Sequence, residues 1–364
     1  MELYIFDRYL NFLGIFESFF SLRWVRRYHK YGEFELHCGL TQDSLKLLQK
    51  GNIIWKKDDL EAGYIEYRNM KKDTEGKEIL IVRGKFLTGY LNRRIIWGIE
   101  NLNTTAELAM RELINKNCIN PIDIDRIIDL LALGELKKYP QAVNCQVSYK
   151  NLLEELENIS NISQLGYRTL VDLQNKKIIF DIYEGLDRTA GQNVNPPTIF
   201  SKEFENILEQ EYTDSLHNYR SLALIAEEGE GIAREFVTVG EGQGLDRYEM
   251  FVDARNLQSE KEDGTVIPSK EYKKMLEERG ETKLAECKEI ETFESKININ
   301  SNLMYKKDFD LGDIVTCTSK RWGVTIDARI TEVEEVYEQD GLNINIIFGN
   351  SIPTLIDKIK QVVR

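Results

Sequence analysis

Leu311-Gly312-Asp313-Ile314-Val315-Thr316-Cys317-Thr318, then Trp322-Gly323, then Val324, Ile326, Ala328 and Ile330 alternating with Thr325, Asp327, Arg329 and Thr331, is the stretch that decides the fold. The β-branched run after Asp313 fits a strand. Trp322-Gly323 marks a turn, and the alternation beyond it is the period-2 signature of a strand with one buried face. Val333 and Tyr337 continue the apolar set one residue out of step, so a β-bulge is predicted near Thr331 or Glu332. Asp340-Gly341 is a two-residue hairpin signal, and Leu342, Ile344, Ile346 and Phe348 alternate on the return strand. Residues 308–350 therefore read as a three-strand antiparallel meander. With one apolar face and open edges it must close on other strands or a second layer, as a small barrel or sandwich.

The chain has 364 residues, 42% of them apolar, enough for roughly two to four compact units with real cores. A formal charge of -13 and a pI near 5.0 argue against a chain that grips nucleic acid phosphates or an anionic membrane. The five cysteines, Cys38, Cys118, Cys145, Cys287 and Cys317, are odd in number and widely spaced, which indicates buried thiols rather than a disulfide framework or zinc ribbon. The apolar run at 12–20 is interrupted by Glu17 and falls short of the ~20 residues a membrane span needs.

Residues 1–100 read as a β-rich unit, with a short amphipathic helix at 41–50 and strands at 52–55, 63–70, 78–82, 85–90 and 93–97. The character changes at Asn101. Thr104-Thr105-Ala106-Glu107 is a capping box that opens a helix carrying Ala106, Ala109, Met110 and Leu113 on one face. Leu152, Leu153, Leu156 and Ile159 give a second helix, and strands at 167–173 and 177–183 complete an α/β unit over 101–190. Strands return at 198–201, 219–226, 233–239 and 247–252, with a polar connection after the first of them. The charged stretch 257–295 reads as a peripheral helical insertion with a thin apolar stripe. It interrupts a second β unit, 191–256 plus 296–350, and residues 351–364 read as a C-terminal helix with Pro353 in its first turn.

Chemical constellations are weak. Gly240-Glu241-Gly242-Gln243-Gly244 has the glycines of a phosphate cradle but no lysine and no following helix, so a turn between strands is preferred. His29, His37 and His217 show no ligand spacing, and His37 and Cys38 are neighbours on a strand, pointing to opposite faces. No cofactor or metal is expected. Asp246, Glu249 and Asp253 would serve as the paired carboxylates of a glycosidase, but Arg247 and Arg255 stand beside them and ion pairs are the commoner outcome. The segment 23–31 is basic and aromatic. In an acidic chain, Arg23, Trp24, Arg26, Arg27 and Tyr28 are read as subunit-interface anchors in preference to a base-stacking, phosphate-tracking surface.

Five segments also occur in a familiar order: Tyr31-Gly32-Glu33-Phe34-Glu35-Leu36; Leu91-Asn92-Arg93-Arg94-Ile95-Ile96; Thr198-Ile199-Phe200-Ser201-Lys202-Glu203-Phe204-Glu205-Asn206; Gly244-Leu245-Asp246-Arg247-Tyr248-Glu249-Met250-Phe251-Val252-Asp253-Ala254-Arg255; and Asp310-Leu311-Gly312-Asp313-Ile314-Val315. Together they resemble the bacteriophage tail-hub proteins of long-tailed phages, prophages and phage-tail-like particles. The resemblance implies an α+β fold in which two β-barrel tube-like domains flank the α/β middle domain. It further implies a homotrimer forming a pseudo-six-fold ring at the tail tip or baseplate. Such a ring would join the tail tube, or a distal tail protein ring, to a spike or fibre and continue the channel used by the tape measure protein and then DNA. It implies a structural protein of the virion made in the host bacterial cytoplasm, with no catalysis, no stable nucleic-acid binding and no membrane span. Because the chain ends shortly after the meander, no fused hydrolase or fibre domain is expected. The alternative reading is a tail-tip peptidoglycan hydrolase using paired carboxylates.

Overall fold

A computed structural model describes residues 1–57, 59–72, 74, 76–229, 234–255, 257–260 and 265–349. The expected C-terminal helix at 351–364 lies outside them. The first region contains β1 (Leu3–Phe6), β2 (Phe12–Phe16), β3 (Phe19–Arg27), β4 (Glu33–Gly39), α1 (Gln42–Leu47), β5 (Ile53–Lys56), β6 (Ala62–Lys72) and β7 (Glu78–Phe86). A middle region follows with β8 (Ile99–Thr105), α2 (Ala106–Ile114), β9 (Leu131–Leu133), β10 (Ala142–Ser148), α3 (Leu152–Ser163), β11 (Gly166–Asp172) and β12 (Lys177–Tyr183). The remainder holds β13 (Asp187–Arg188), β14 (Ile199–Phe200), β15 (Ile207–Ser215), β16 (Leu222–Ala226), β17 (Phe236–Gly240), β18 (Glu249–Asp253), α4 (Ser269–Ala285), β19 (Ile290–Ile297), β20 (Ile314–Ser319), β21 (Val324–Glu338) and β22 (Gly341–Gly349).

The meander of β20, β21 and β22 forms as its pattern predicts. The register slips between Ile330 and Glu332, so Ile330 and then Val333 and Glu335 face inward. What meets its open edge is the other end of the chain. β21 pairs antiparallel with β3, Glu332 opposite Arg27 through Tyr337 opposite Leu22. Both β-rich ends thus belong to one 14-stranded sheet whose main path runs β15-β19-β22-β21-β3-β4-β7-β6-β5-β1-β2. The expected barrels are therefore, in hydrogen bonding, a single ladder with two ends, and none of the sheets closes on itself among the described residues. The molecule is mostly β, at 45% strand and 19% helix, within the α+β class.

One face of this ladder is apolar. Trp24, Phe34, Leu36, Val82 and Phe86 fill it on the N-terminal side, and Phe293, Ile330, Val333, Ile346 and Phe348 on the C-terminal side. The middle region packs α2 and α3 against Tyr64, Leu87 and Leu91 of the first region, in a core shared with Tyr167 and Phe180.

Several local expectations change. Leu87–Arg93 is a 3-10 helix rather than a strand, because Leu87 and Leu91, four apart, both enter the core. The α2 cap is Thr105, not Thr104, and Glu107 turns away to accept the backbone amides of Lys137 at 2.7 Å and Tyr139 at 3.0 Å. The polar connection after 201 contains β15. As the end strand of the ladder it exposes Glu209, Glu211 and Asp214, which hides the apolar alternation. The stretch 257–295 is helical only over α4. Its end is β19, which inserts Phe293 and Ile297 into the core and carries the ladder on to β15. Strands β16, β17 and β18 do not join that ladder. They form a three-stranded sheet, β17-β16-β18, whose core of Ile225, Val237 and Val252 is covered by Tyr272, Met275 and Leu276 of α4.

Candidate functional site: the seam between the two ends of the chain

Of the five residues read as interface anchors, Trp24, Arg26 and Tyr28 are at most 1% exposed. Their partners come from the same chain, and for Arg26 two of the three come from its far end. Strand alternation places Leu22, Trp24 and Arg26 on the core face of β3 and Arg23 and Arg27 on the other. The Arg26 guanidinium donates to Asp310 at 2.7 Å, to the Tyr305 hydroxyl at 2.9 Å and to Glu61 at 3.2 Å. Beside it Lys56 bridges Asp59, at 3.0 Å, and Glu335, while Lys306 also reaches Asp59, at 3.1 Å. Tyr337 closes the group with its hydroxyl 2.5 Å from Glu335.

Burial opposes charge throughout this cluster, yet pairing prevails. Burial alone would raise the Asp59 carboxyl, but Lys56, Arg26 and Lys306 overcome it and hold it well below the usual carboxylate range. Burial likewise works against the Arg26 charge, and Tyr305, Asp310, Asp59 and Glu61 keep the guanidinium firmly protonated. Glu61, buried and close to Asp59, is raised instead. Such a network adds little net stability over apolar packing, but it fixes which strand meets which, because Arg26 and Lys56 each find their acceptors only when the two ends of the chain come together.

Tyr28 ends the seam. Its hydroxyl donates to the Gln164 or Tyr183 carbonyl, at 3.1 and 3.2 Å, and its ring lies against Gly166 and Gly312 so closely that a Cβ at either would stand 2.4 Å from it. Gly312 has φ +96, where a side chain is strained as well. His29, next in sequence, accepts or donates to Ser160 at 2.8 Å; burial, with Arg329 and Lys30 nearby, pushes its pKa down to about 3.

Arg23 and Arg27, on the opposite face, are ion-paired across three strands, β4, β3 and β21. Arg23 meets Glu334 and, at 3.2 Å, Glu33; Arg27 meets Glu332 at 2.6 Å and Glu33 at 2.9 Å. Lys30 pairs with Glu157 at 3.1 Å. The basic, aromatic segment thus has a carboxylate for each of its cations, supplied largely by residues some three hundred positions away.

The carboxylates considered for hydrolysis lie elsewhere and apart from any cleft. Glu249 pairs with Arg247 at 2.5 Å, and Asp253 is held between Arg255 and Arg234, each at 2.7 Å, which lowers it to about 2. A general acid needs the opposite shift. Cys38 is buried and its thiol pushed up to about 11, while His37 bonds Glu35 at 2.5 Å. Among the described residues no group of His, Cys, Asp and Glu is arranged to hold a metal ion, and no helix is long and apolar enough to cross a membrane. An open concavity of about 270 Å³ beside the seam is lined by Gln164, Glu289, Glu291, Asp327, Arg329 and Thr331 with only Ile326 and Ala328 as apolar side chains, a more polar wall than a small-molecule site usually has.

The sequence reading missed Lys56, Asp59, Glu61, Tyr305 and Glu335. One signal was present: Glu335 shares the inward phase of Val333 and Tyr337.

The fold is similar to that of three solved tail proteins. The 43 kDa tail protein of prophage MuSo2 from Shewanella oneidensis matches with a TM-score of 0.60 at 12% identity, over 96% of this chain and 98% of its own. A tail protein from Neisseria meningitidis MC58 matches at 0.57 and 11% identity, over 96% of each chain. Prophage tail protein gp18 from Listeria monocytogenes EGD-e matches at 0.53 and 11% identity, over 100% of this chain and 98% of its own. No curated protein matches in sequence. The model of the family described as Siphovirus ReqiPepy6 Gp37-like protein matches residues 2–350, and the chain belongs to that family of siphovirus tail proteins.

Proposed function

We propose that this tail protein is the structural hub of the tail tip or baseplate, without catalysis. Three copies form a pseudo-six-fold ring that joins the tail tube, or a distal tail protein ring, to a spike or fibre and continues the channel for the tape measure protein and DNA. The observation that carries the reading is the β3–β21 pairing. It sets the chain's two β-rich regions, drawn from 1–100 and from 191–350, side by side in one ladder, which supports reading them as two tube-like wall pieces, with helices of the middle unit packed against the first of them. A molecule that welds its two β-rich ends through the buried Arg26 and Lys56 network, and whose Glu249 and Asp253 are neutralised in exposed ion pairs, is built to be a wall.

Of the five anchors read from the sequence, Arg23, with 40% of its side chain exposed, keeps surface for a neighbouring copy. The cations of the outer face, Arg23, Arg27, Arg83 and Lys85, are each matched by glutamates, so that face offers little to hold a passing phosphate backbone. Quantitative mass analysis of purified tails, with the protein labelled for imaging, tests the reading. Three copies at one end of the tube are expected; another number, or label along the shaft, overturns it.

A further inference from the structure

A second arginine cluster lies in the middle of the chain, and its surroundings are the reverse of the seam's. Arg93 stacks on the Tyr90 and Tyr64 rings at 4.4 and 4.9 Å, and Arg126 on the Trp97 ring at 4.2 Å. Arg94 donates to the Arg126 carbonyl at 2.8 Å, and Arg126 to the Asn117 side-chain oxygen at 3.1 Å. Their guanidiniums are thus held by rings, carbonyls and an amide, and among the described residues none is in an ion pair. Burial and the neighbouring Arg94 pull the Arg126 pKa down, and Cys118 and Asp123 offset them only in part. Around these cations stand Ile95, 45% exposed, Trp97, 46%, Ile122, 97%, and Ile124, 74%. Clustered arginine, tryptophan and isoleucine on a surface is the composition of an interface centre, and the unanswered positive charge specifies an acidic partner.

The same chain presents that partner. At the open end of the ladder, strand register sets Glu211 opposite Glu294 and Asp214 opposite Glu291. Like charges directly opposite one another on paired strands are unfavourable, and none of these four carboxylates is in an ion pair among the described residues. Burial, Glu211 and Glu332 raise the Glu294 carboxyl, and burial with Glu291 pushes the Tyr212 hydroxyl up to about 12. β15 also leaves one backbone edge unpaired.

We infer that copies of this chain join head to tail, the Arg93, Arg94 and Arg126 patch of one copy seating on the β15–β19 acidic edge of the next. Contact between two different surfaces of identical chains is heterologous and generates a ring when its rotation closes. The occupant is therefore a second copy, and the inference deepens the hub reading, on which it rests.

Charge reversal in assembling tails tests it. Arg94→Glu with Arg126→Glu should lower incorporation into tails by about tenfold or more, as should Glu211→Arg with Glu294→Arg. The chain carrying all four changes should recover to within about threefold of the parent, since each copy again meets its opposite charge. Both pairs assembling like the parent, or no recovery in the combined chain, overturns the inference. A second readout does not depend on yield: Ile124→Cys with Glu211→Cys should give a disulfide between copies in intact tails. Three copies at the tip without that crosslink would sink this contact and leave the hub reading standing. A copy number other than three would sink the hub reading itself.

Discussion

Two regions of this molecule set arginine beside aromatic rings and aliphatic side chains, and they end in opposite states. At the seam, Arg26 is buried among Asp310, Glu61 and Tyr305, and each of its neighbours in the basic segment has a carboxylate as well. In the Arg93, Arg94 and Arg126 patch the rings are present and the carboxylates are not, while isoleucines that the seam would bury stand in solvent. Composition alone does not separate the two. What separates them is where the chain brings its acids: β21 delivers Glu332, Glu334 and Glu335 to the seam, while among the described residues no carboxylate is ion-paired with Arg93, Arg94 or Arg126. The first is an interface already completed within the chain, and the second is half of one.

Breaking the seam should have the largest effect. Arg26→Ala leaves Asp310 and Glu61 without their guanidinium and should cost about 3–5 kcal/mol in denaturant unfolding, with little recovery in Arg26→Lys because an ammonium cannot span the same acceptors. Gly312→Ala, which drives a methyl into the Tyr28 ring at a backbone angle alanine resists, should cost about 1–3 kcal/mol by the same measurement. A pH series sharpens the comparison further. His29 has a native pKa of about 3 against an ordinary 6.5, so as pH falls below 6.5 the unfolded chain takes up a proton that the native state refuses. The His29 contribution to stability should therefore fall by on the order of 1 kcal/mol per unit as pH is lowered, opposed over the same window by Glu278, whose carboxyl burial raises to about 7, and His29→Gln should remove the His29 part alone. Measured above pH 4, the series stays clear of Asp59, whose contribution is lost only as pH falls below the ordinary carboxylate range. The smallest effect belongs to the patch: Arg94→Glu with Arg126→Glu loses a ring stack and half-buried hydrogen bonds and should change unfolding by about 1–2 kcal/mol while abolishing most assembly.

The meander was legible because local signals agreed there: β-branched runs, a phase slip and an Asp-Gly turn each name a structure without help from distant residues. The helices α2 and α3 were legible for the same reason, through their apolar periodicity. β15 and β19 were not. Glu209, Glu211 and Asp214 carry no apolar alternation at an open edge, and Phe293 and Ile297 sit in a stretch whose charge reads as a solvated helix. The seam was half legible: residues 23–31 announce an interface, but the acids that complete it inside the chain lie beyond any local window. The patch was read as a plain strand at 93–97, because Arg126, Ile122 and Ile124 reach it only through the fold.

A three-dimensional reconstruction of the tail tip tests the central claim most directly. The account predicts three copies around the axis, each giving two adjacent wall segments joined through β3 and β21, so that six similar segments surround one continuous channel. A tip in which those strands lie apart, or in which this chain encloses no channel, would contradict it.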